Sequence, residues 1–194
     1  MPRQEDPLLE ARIVRAARTL CARHGAEGVT MRRVALMAKT STPTLYQRFV
    51  DREALLQALR GNTRTALARE MLESVSPEDA CKRYLRFAVR HAHEYELLMN
   101  GHRLHGKAER RGPIFHAVQS RLAQVFGGAP EMYAALAVQL WCLAHGTASL
   151  LIARGERGAA ADQLREACRL ACEAIVGQML SARAQLKRTT GHTR

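Results

Sequence analysis

Aromatic side chains are scarce in this 194-residue chain, where one Trp, four Tyr and four Phe make up 5% of the residues. Acidic residues are few as well: 18 Asp and Glu against 30 Lys and Arg leave a net charge of +12. That imbalance favours a polyanionic partner without determining the fold, and nucleic acid leads a membrane surface as that partner. Strand signals are nearly absent, because no run of β-branched residues alternates with polar ones. Five Cys (Cys21, Cys81, Cys142, Cys168, Cys172) are an odd number without a CxxC pair, which excludes a disulfide scaffold. Met1 to Asp6 carries no apolar signal stretch, so a reduced, cytoplasmic protein is expected. The chain has no GxSxG, HExxH or GxxxxGK[ST], and no enzyme activity or cofactor is expected. His91 with His93 point to different helix faces, and His102 with His105 lie in an expected loop without a matching carboxylate or Cys. No metal site is expected from them.

What the chain does have is core-forming material, 47% hydrophobic against 25% charged, enough for one large domain or two small ones. From Met132 to Ala153 there are 22 residues without a formal charge, a length that could cross a bilayer. Gln139, His145, Gly146, Thr147, Ser149 and several Ala weaken that segment, and no second span or aromatic belt accompanies it. A helix apolar all round also suits the centre of a helical bundle, so no membrane association is expected.

Apolar residues recur at three and four throughout, which predicts an all-α chain. A first helix is expected from Leu8 to His24, buried through Leu9, Ile13, Ala16, Ala17, Leu20 and Cys21 and stopped by Gly25. Thr30 caps a second from Met31 to Ala38, with Val29 stapled onto Val34, and Ser41 caps a third from Thr42 to Phe49. Asp51 caps a fourth reaching about Ser74, with Val50 and Leu55 at its staple positions. Ser76-Pro77-Glu78-Asp79 opens a fifth to about His93. A short helix over Glu94 to His102, a loop to Gly112, a helix from Pro113 to Phe126 and the uncharged helix from Pro130 to Ala153 follow. A loop from Gly155 to Gly158 precedes a final helix from Asp162 to about Leu186, and the tail from Lys187 is expected to fray. Cys168 and Cys172 share a face of that last helix and read as small core residues rather than a redox pair.

Two short helices joined by a three- or four-residue turn and flanked by a longer one form a helix-turn-helix. The window Thr30 to Arg52 fits, and Arg32, Arg33, Lys39, Arg48 and Arg52 against Asp51 give it +4. Within it, Thr30-Met31-Arg32-Arg33-Val34-Ala35, Ala38-Lys39-Thr40-Ser41, Thr44-Leu45-Tyr46-Gln47-Arg48-Phe49 and Asp51-Arg52-Glu53-Ala54-Leu55 resemble the DNA-binding domain of the TetR family of transcriptional regulators. The likeness covers residues 8 to about 60. Further on, Trp141-Cys142-Leu143-Ala144-His145-Gly146 is similar to the Trp-x-x-x-His-Gly segment of one TetR-family body type. The resemblance implies a three-helix DNA-binding domain at residues 1–60 and a helical ligand-binding and dimerisation body at 61–194. It also implies DNA contacts from Thr30, Arg32, Ser41, Thr42, Pro43, Thr44, Tyr46, Gln47, Arg48 and Arg52. Capping by Ser41 leaves Thr42, Pro43 and Thr44 in the turn that reaches base edges, while Tyr46 and Arg48 suit phosphates. Two residues depart from the family pattern. Lys39 stands where a Gly is usual, and a left-handed non-Gly residue costs about 1 kcal/mol. Pro43 replaces the Gly of the Gly-Thr-Leu-Tyr run, at a helix position that loses no intrahelical donor.

These readings lead to a homodimeric repressor that binds a palindromic double-stranded DNA operator and is released by a small-molecule effector. The alternatives are a DNA-binding regulator without an effector and a basic all-helical adaptor protein. Candidate pocket residues, apolar with scattered polar tips, are Tyr84, Phe87, His91, Tyr95, Met99, Phe115, Trp141 and His145. His145 suits a ligand hydrogen bond and a buried carbonyl equally. Dimerisation is expected through the last two helices, with Ala134, Ala137, Ala144, Gly146 and Ala148 allowing close approach. Leu164, Cys168, Ile175 and Met179 would supply the complementary face.

Overall fold

The computed structural model describes residues 8–100, 112–155 and 158–190. The His102 and His105 pair and the centre of the Gly155–Gly158 loop lie outside the described residues. So does the loop before Gly112. Among those described there are α-helices and no strand, as expected of an all-α chain. The helices are α1 (Leu9–His24), α2 (Met31–Met37), α3 (Thr42–Tyr46), α4 (Arg52–Leu72), α5 (Pro77–Arg90), α6 (Ala92–Asn100), α7 (Pro113–Phe126), α8 (Ala134–Ala153) and α9 (Ala159–Thr190). Short 3-10 turns cover Ala26–Gly28 and Pro130–Tyr133. Two compact units result: the described residues of 1–65 and 91–108 form one, those of 66–90 and 109–194 the other. The boundary expected near residue 60 falls inside α4, and α6 groups with the amino-terminal unit.

In the first unit all six apolar residues of the α1 stripe are buried, from Leu9 to Cys21. Gly25 ends α1 at φ 67°, its N–H donating to the Cys21 carbonyl at 2.8 Å, a left-handed conformation that suits a residue without Cβ. Val29, Val34, Leu45, Phe49, Leu55 and Leu59 complete one cluster with that stripe. Capping follows the sequence closely. The Thr30 hydroxyl accepts from the Arg33 amide at 3.3 Å, the Ser41 hydroxyl from the Thr44 amide at 3.2 Å, and the Asp51 carboxylate from the Ala54 amide at 2.7 Å. The Val50–Leu55 staple does not form: Val50 is 77% exposed, while Leu55 is fully buried. Helix α3 stops at Tyr46 rather than Phe49, because Arg48 donates to the Leu45 carbonyl three residues back and tightens the last turn.

In the second unit α5 packs against α8 and α9, α8 against α9, and α7 against α8. Helix α5 opens as expected, the Ser76 hydroxyl accepting from the Asp79 amide at 3.2 Å while Asp79 accepts from Val75 at 3.0 Å. It ends at Arg90, short of His93, and α6 begins afresh with the Tyr95 amide donating to the His91 carbonyl. The first turn after Pro130 is 3-10 before α8 proper. Helix α8 buries Leu136, Ala137, Leu140, Ala144, Thr147, Ala148 and Leu151 at helical spacing, the stripe of a core helix. Its length and hydropathy would suit a membrane, and its opposite face carries no charge yet is exposed: Val138, Trp141, Cys142, Gly146 and Leu150 lie there. Helix α9 starts three residues earlier than expected and continues to Thr190.

Candidate functional site

Helix α3 of the helix-turn-helix is held by one buried side chain. Leu45 is fully buried at the middle of α3, which fixes that helix about its own axis and turns Ser41, Pro43, Tyr46, Gln47 and Arg48 outward. Thr42 and Thr44 are half-buried. The Thr44 and Ser41 hydroxyls lie 2.7 Å apart, so part of the bonding capacity of Thr44 is spent within the cap and its methyl is the group left for an apolar contact such as a thymine methyl. Thr30, Arg32 and Arg33 are exposed at the start of α2. Tyr46 is 51% exposed with its ring outside the core.

The turn before α3 is made by Lys39, at φ 53° the only described non-glycine residue with positive φ. It occupies the position where the family pattern has Gly, and it adopts the left-handed backbone there. Lys39 also borders a shallow groove of about 520 Å³ with Arg12, Arg15 and Thr19 of α1. Arg12 and Arg15 are exposed cations outside the set expected from sequence. The signal was present, since they lie three apart on α1 and alternate with the buried Ile13 and Ala16.

Arg52 is placed differently from the other candidates. Its Nε donates to the Val29 carbonyl at 2.7 Å and its Nη2 to the Ala26 carbonyl at 2.6 Å, with Glu27 3.8 Å away. The guanidinium therefore ties the start of α4 to the connection between α1 and α2, and much of its donor set is engaged within the protein.

The eight candidate pocket residues divide between the units. His91, Tyr95 and Met99 belong to the first; Tyr84, Phe87, Phe115, Trp141 and His145 belong to the second. His91 Nδ1 lies 3.7 Å from Glu94, a buried carboxylate that Arg18 of α1 also approaches at 3.6 Å. Tyr84, Phe87 and Tyr95 are buried. Trp141 is 44% exposed on α8, and His145 stacks on it with ring centroids 5.4 Å apart. Burial lowers the pKa of His145, which favours the neutral imidazole. A cavity of about 800 Å³ opens elsewhere in this unit, between α5 and α9, and none of the eight lines it. Its walls include Cys81, Leu85, Arg86 and Val89 of α5 and Arg165 and Cys168 of α9. Among the described residues no group of His, Cys, Asp or Glu is arranged to hold a metal ion.

The residues of α9 expected to pair are in part taken up by their own unit. Cys168 is buried within its own unit and Leu164, Ile175 and Met179 are half-buried. One exposed strip of α9, Gln163, Ala167, Leu170, Ala174, Gly177 and Ser181, runs at helical spacing without a charge and is flanked by the exposed Glu166 and Glu173. On α8, likewise, Ala137, Ala144 and Ala148 are buried in the unit, while Ala134 and Gly146 are exposed. The uncharged character of α8 was legible, but α9 carries two apolar strips between its charged residues, and periodicity alone does not say which one the protomer consumes.

Residues 13–59 match the family described as bacterial regulatory proteins, tetR family, and residues 78–175 match the tetracyclin repressor-like C-terminal domain. The chain belongs to the TetR family. It is a TetR-family transcriptional regulator with the amino-terminal helix-turn-helix and helical carboxy-terminal domain of that fold. Solved structures share the architecture at low identity. A TetR transcriptional regulator from Rhodococcus sp. RHA1 is 18% identical with a TM-score of 0.58, covering 87% of this chain and 94% of its own. A protein of unknown function from the same organism is 21% identical with a TM-score of 0.66, covering 88% and 95%. A single-residue variant of TetR from Acinetobacter baumannii AYE, solved in complex with minocycline, is 15% identical with a TM-score of 0.65, covering 93% and 99%. Among curated proteins none matches this sequence.

Proposed function

We propose that this TetR-family regulator is a homodimeric repressor that binds a palindromic DNA operator through α2 and α3 and is released by a small-molecule effector. The observation that carries the DNA reading is the exposed face of the helix-turn-helix. Around the single buried Leu45, α3 offers Ser41, Pro43, Tyr46, Gln47 and Arg48, and α2 adds Thr30, Arg32 and Arg33. Thr42 and Thr44, half-buried in the first turn of α3, stand where a groove-bound helix meets base edges. Tyr46 and Arg48 further along suit phosphates, and Arg12, Arg15 and Lys39 extend the basic surface beyond the motif. Arg52 supports this face from behind through the carbonyls it holds, more than by gripping DNA.

Two further features support the dimer and the effector. The uncharged exposed face of α8 and the uncharged strip of α9 suit a two-fold pairing of four helices, which would present two α3 helices to successive major grooves about 34 Å apart. The carboxy-terminal unit holds a cavity of about 800 Å³, within the range of small-molecule sites. The protein acts in the cytoplasm, where DNA is accessible, and catalyses no reaction.

The test begins with selection of bound duplexes from a random pool, followed by titration of the selected site at several salt concentrations. Tyr46→Ala and Arg48→Ala are expected to weaken binding to every sequence, and Arg48→Ala to lower the salt slope by about one. Thr44→Ala is expected to change preference at one base position by about 1 to 3 kcal/mol. If Tyr46→Ala and Arg48→Ala leave both affinity and slope unchanged, the interface is elsewhere. An effector is expected to raise the melting temperature and to weaken operator binding by the factor by which DNA weakens effector binding.

A further inference from the structure

Among the described residues, three neighbouring cations of the carboxy-terminal unit are in no ion pair. Lys82, Arg86 and Arg90 stand four residues apart on α5, so they form a row along one side of that helix, about 12 Å long. All three are exposed, and like charges at this spacing repel one another. The acids around them are spent on other cations. Asp79 lies 2.9 Å from Arg83 and Glu70 3.2 Å from the same guanidinium, while on α9 Asp162 lies 3.0 Å from Arg165 and Glu166 2.5 Å from Arg169. The row also lines the α5–α9 cavity of about 800 Å³, whose uncharged lining is Cys81, Leu85, Val89 and Cys168. Val89 lies in the turn between Arg86 and Arg90 and is 41% exposed. A solvated helix face accounts for the charges. It does not account for a cavity that joins them to apolar surface.

We propose that this cavity binds an amphipathic anion, a carboxylate on an apolar chain, with its head at Arg86 and Arg90 and its chain along Leu85 and Val89. The proposal deepens the effector reading above, on which it rests for its consequence at the operator. Two guanidiniums one helical turn apart offer planar forks that match the two oxygens of a carboxylate. The head is directed to this end of the row because Glu78, one turn before Lys82, is also in the lining and repels an anion from the other end. Binding has two sources of free energy: the anion relieves the repulsion within the row, and the chain leaves water for apolar surface. A neutral chain lacks the first and a short anion lacks the second, so the site selects molecules that carry both. None of the α9 residues of the cavity belongs to the exposed uncharged strip of that helix, so ligand binding and pairing through the strip use different sides of α9.

The test is calorimetric titration of the full-length protein with octanoate, 1-octanol and acetate. Saturable binding of octanoate at one site per protomer is expected, with at least tenfold weaker binding of 1-octanol and none of acetate over the same range. The double variant Arg86→Gln/Arg90→Gln is expected to bind octanoate at least tenfold less tightly with an unchanged circular dichroism spectrum, since both side chains are exposed. Arg188→Gln, which removes an exposed cation near the end of α9, is expected to bind it as the wild type does. Absence of saturable octanoate binding, equal affinity for octanoate and 1-octanol, or an affinity unchanged in the double variant would each overturn the proposal. The comparison of ligands on the wild type decides the matter even if the double variant folds poorly. Operator binding is then measured with and without octanoate. Octanoate binding that needs Arg86 and Arg90 but leaves operator affinity untouched keeps the site and counts against the effector reading. An operator released by some other small molecule, with no octanoate bound, keeps the effector reading and overturns the site.

Discussion

Arg52 separates two roles that the sequence alone could not. A cation at the start of α4 suits a DNA phosphate, but the structure commits its guanidinium to two peptide oxygens, Val29 at 2.7 Å and Ala26 at 2.6 Å. A hydrogen bond from a charged donor contributes about 1.5 to 3 kcal/mol net. The side chain is 38% exposed, so water can partly replace it at both carbonyls, and the lower end of that range applies to each. Arg52→Ala is therefore expected to destabilise the free protein by about 2 to 3 kcal/mol, a fall in melting temperature of roughly 5 to 10 °C for a chain of this size. Arg52→Lys has one compact ammonium in place of a fork and is expected to recover about half of that. The assay is urea or thermal unfolding without DNA, followed by circular dichroism. The reasoning is refuted if Arg52→Ala melts with the wild type and yet binds DNA less tightly with a reduced salt slope. That result would assign the side chain to the phosphates and make its carbonyl contacts incidental.

The contrast between Arg52 and its neighbours shows what was legible in the sequence. Caps and stripes are local: Thr30, Ser41 and Asp51 each accept the amide three residues on, and every member of the α1 stripe is buried. Short-range geometry decides such features, and short-range pattern reveals them. Arg52 finds its partners 23 and 26 residues away, and a long side chain with five donors gives no sequence signal of which oxygens it will meet. The same holds for Cys81, whose sulfur meets a partner 91 residues away. Periodicity placed Cys168 and Cys172 on one face but had no means of bringing α5 to it. The aromatic and Met set of the body rests on composition rather than spacing. The structure divides it between two units, and none of it lines the cavity of about 800 Å³ beside α9.

Two further expectations concern the backbone and the exposed helices. Lys39→Gly relieves the left-handed strain at φ 53° but adds freedom to the unfolded chain, so a gain of about 0.5 to 1 kcal/mol is expected in urea unfolding; a loss of stability would show that the Lys39 side chain is itself holding the turn. The dimer is tested at Leu170, which is 52% exposed in the protomer and lies in the uncharged stripe with Ala167, Ala174 and Gly177. Ile175 is the less useful position, because it is half-buried in its own unit and a charge there would damage the protomer before it reached a partner. Leu170→Arg places a cation on a surface already open to water, so the protomer is expected to fold with an unchanged circular dichroism spectrum. In a two-fold pairing the new charge is confronted by apolar surface and stands near its own symmetry mate, at a cost of several kcal/mol. Sedimentation is then expected to show monomers at concentrations where the wild type is dimeric. A folded Leu170→Arg protein that still sediments as the dimer would remove the exposed strip of α9 from the interface.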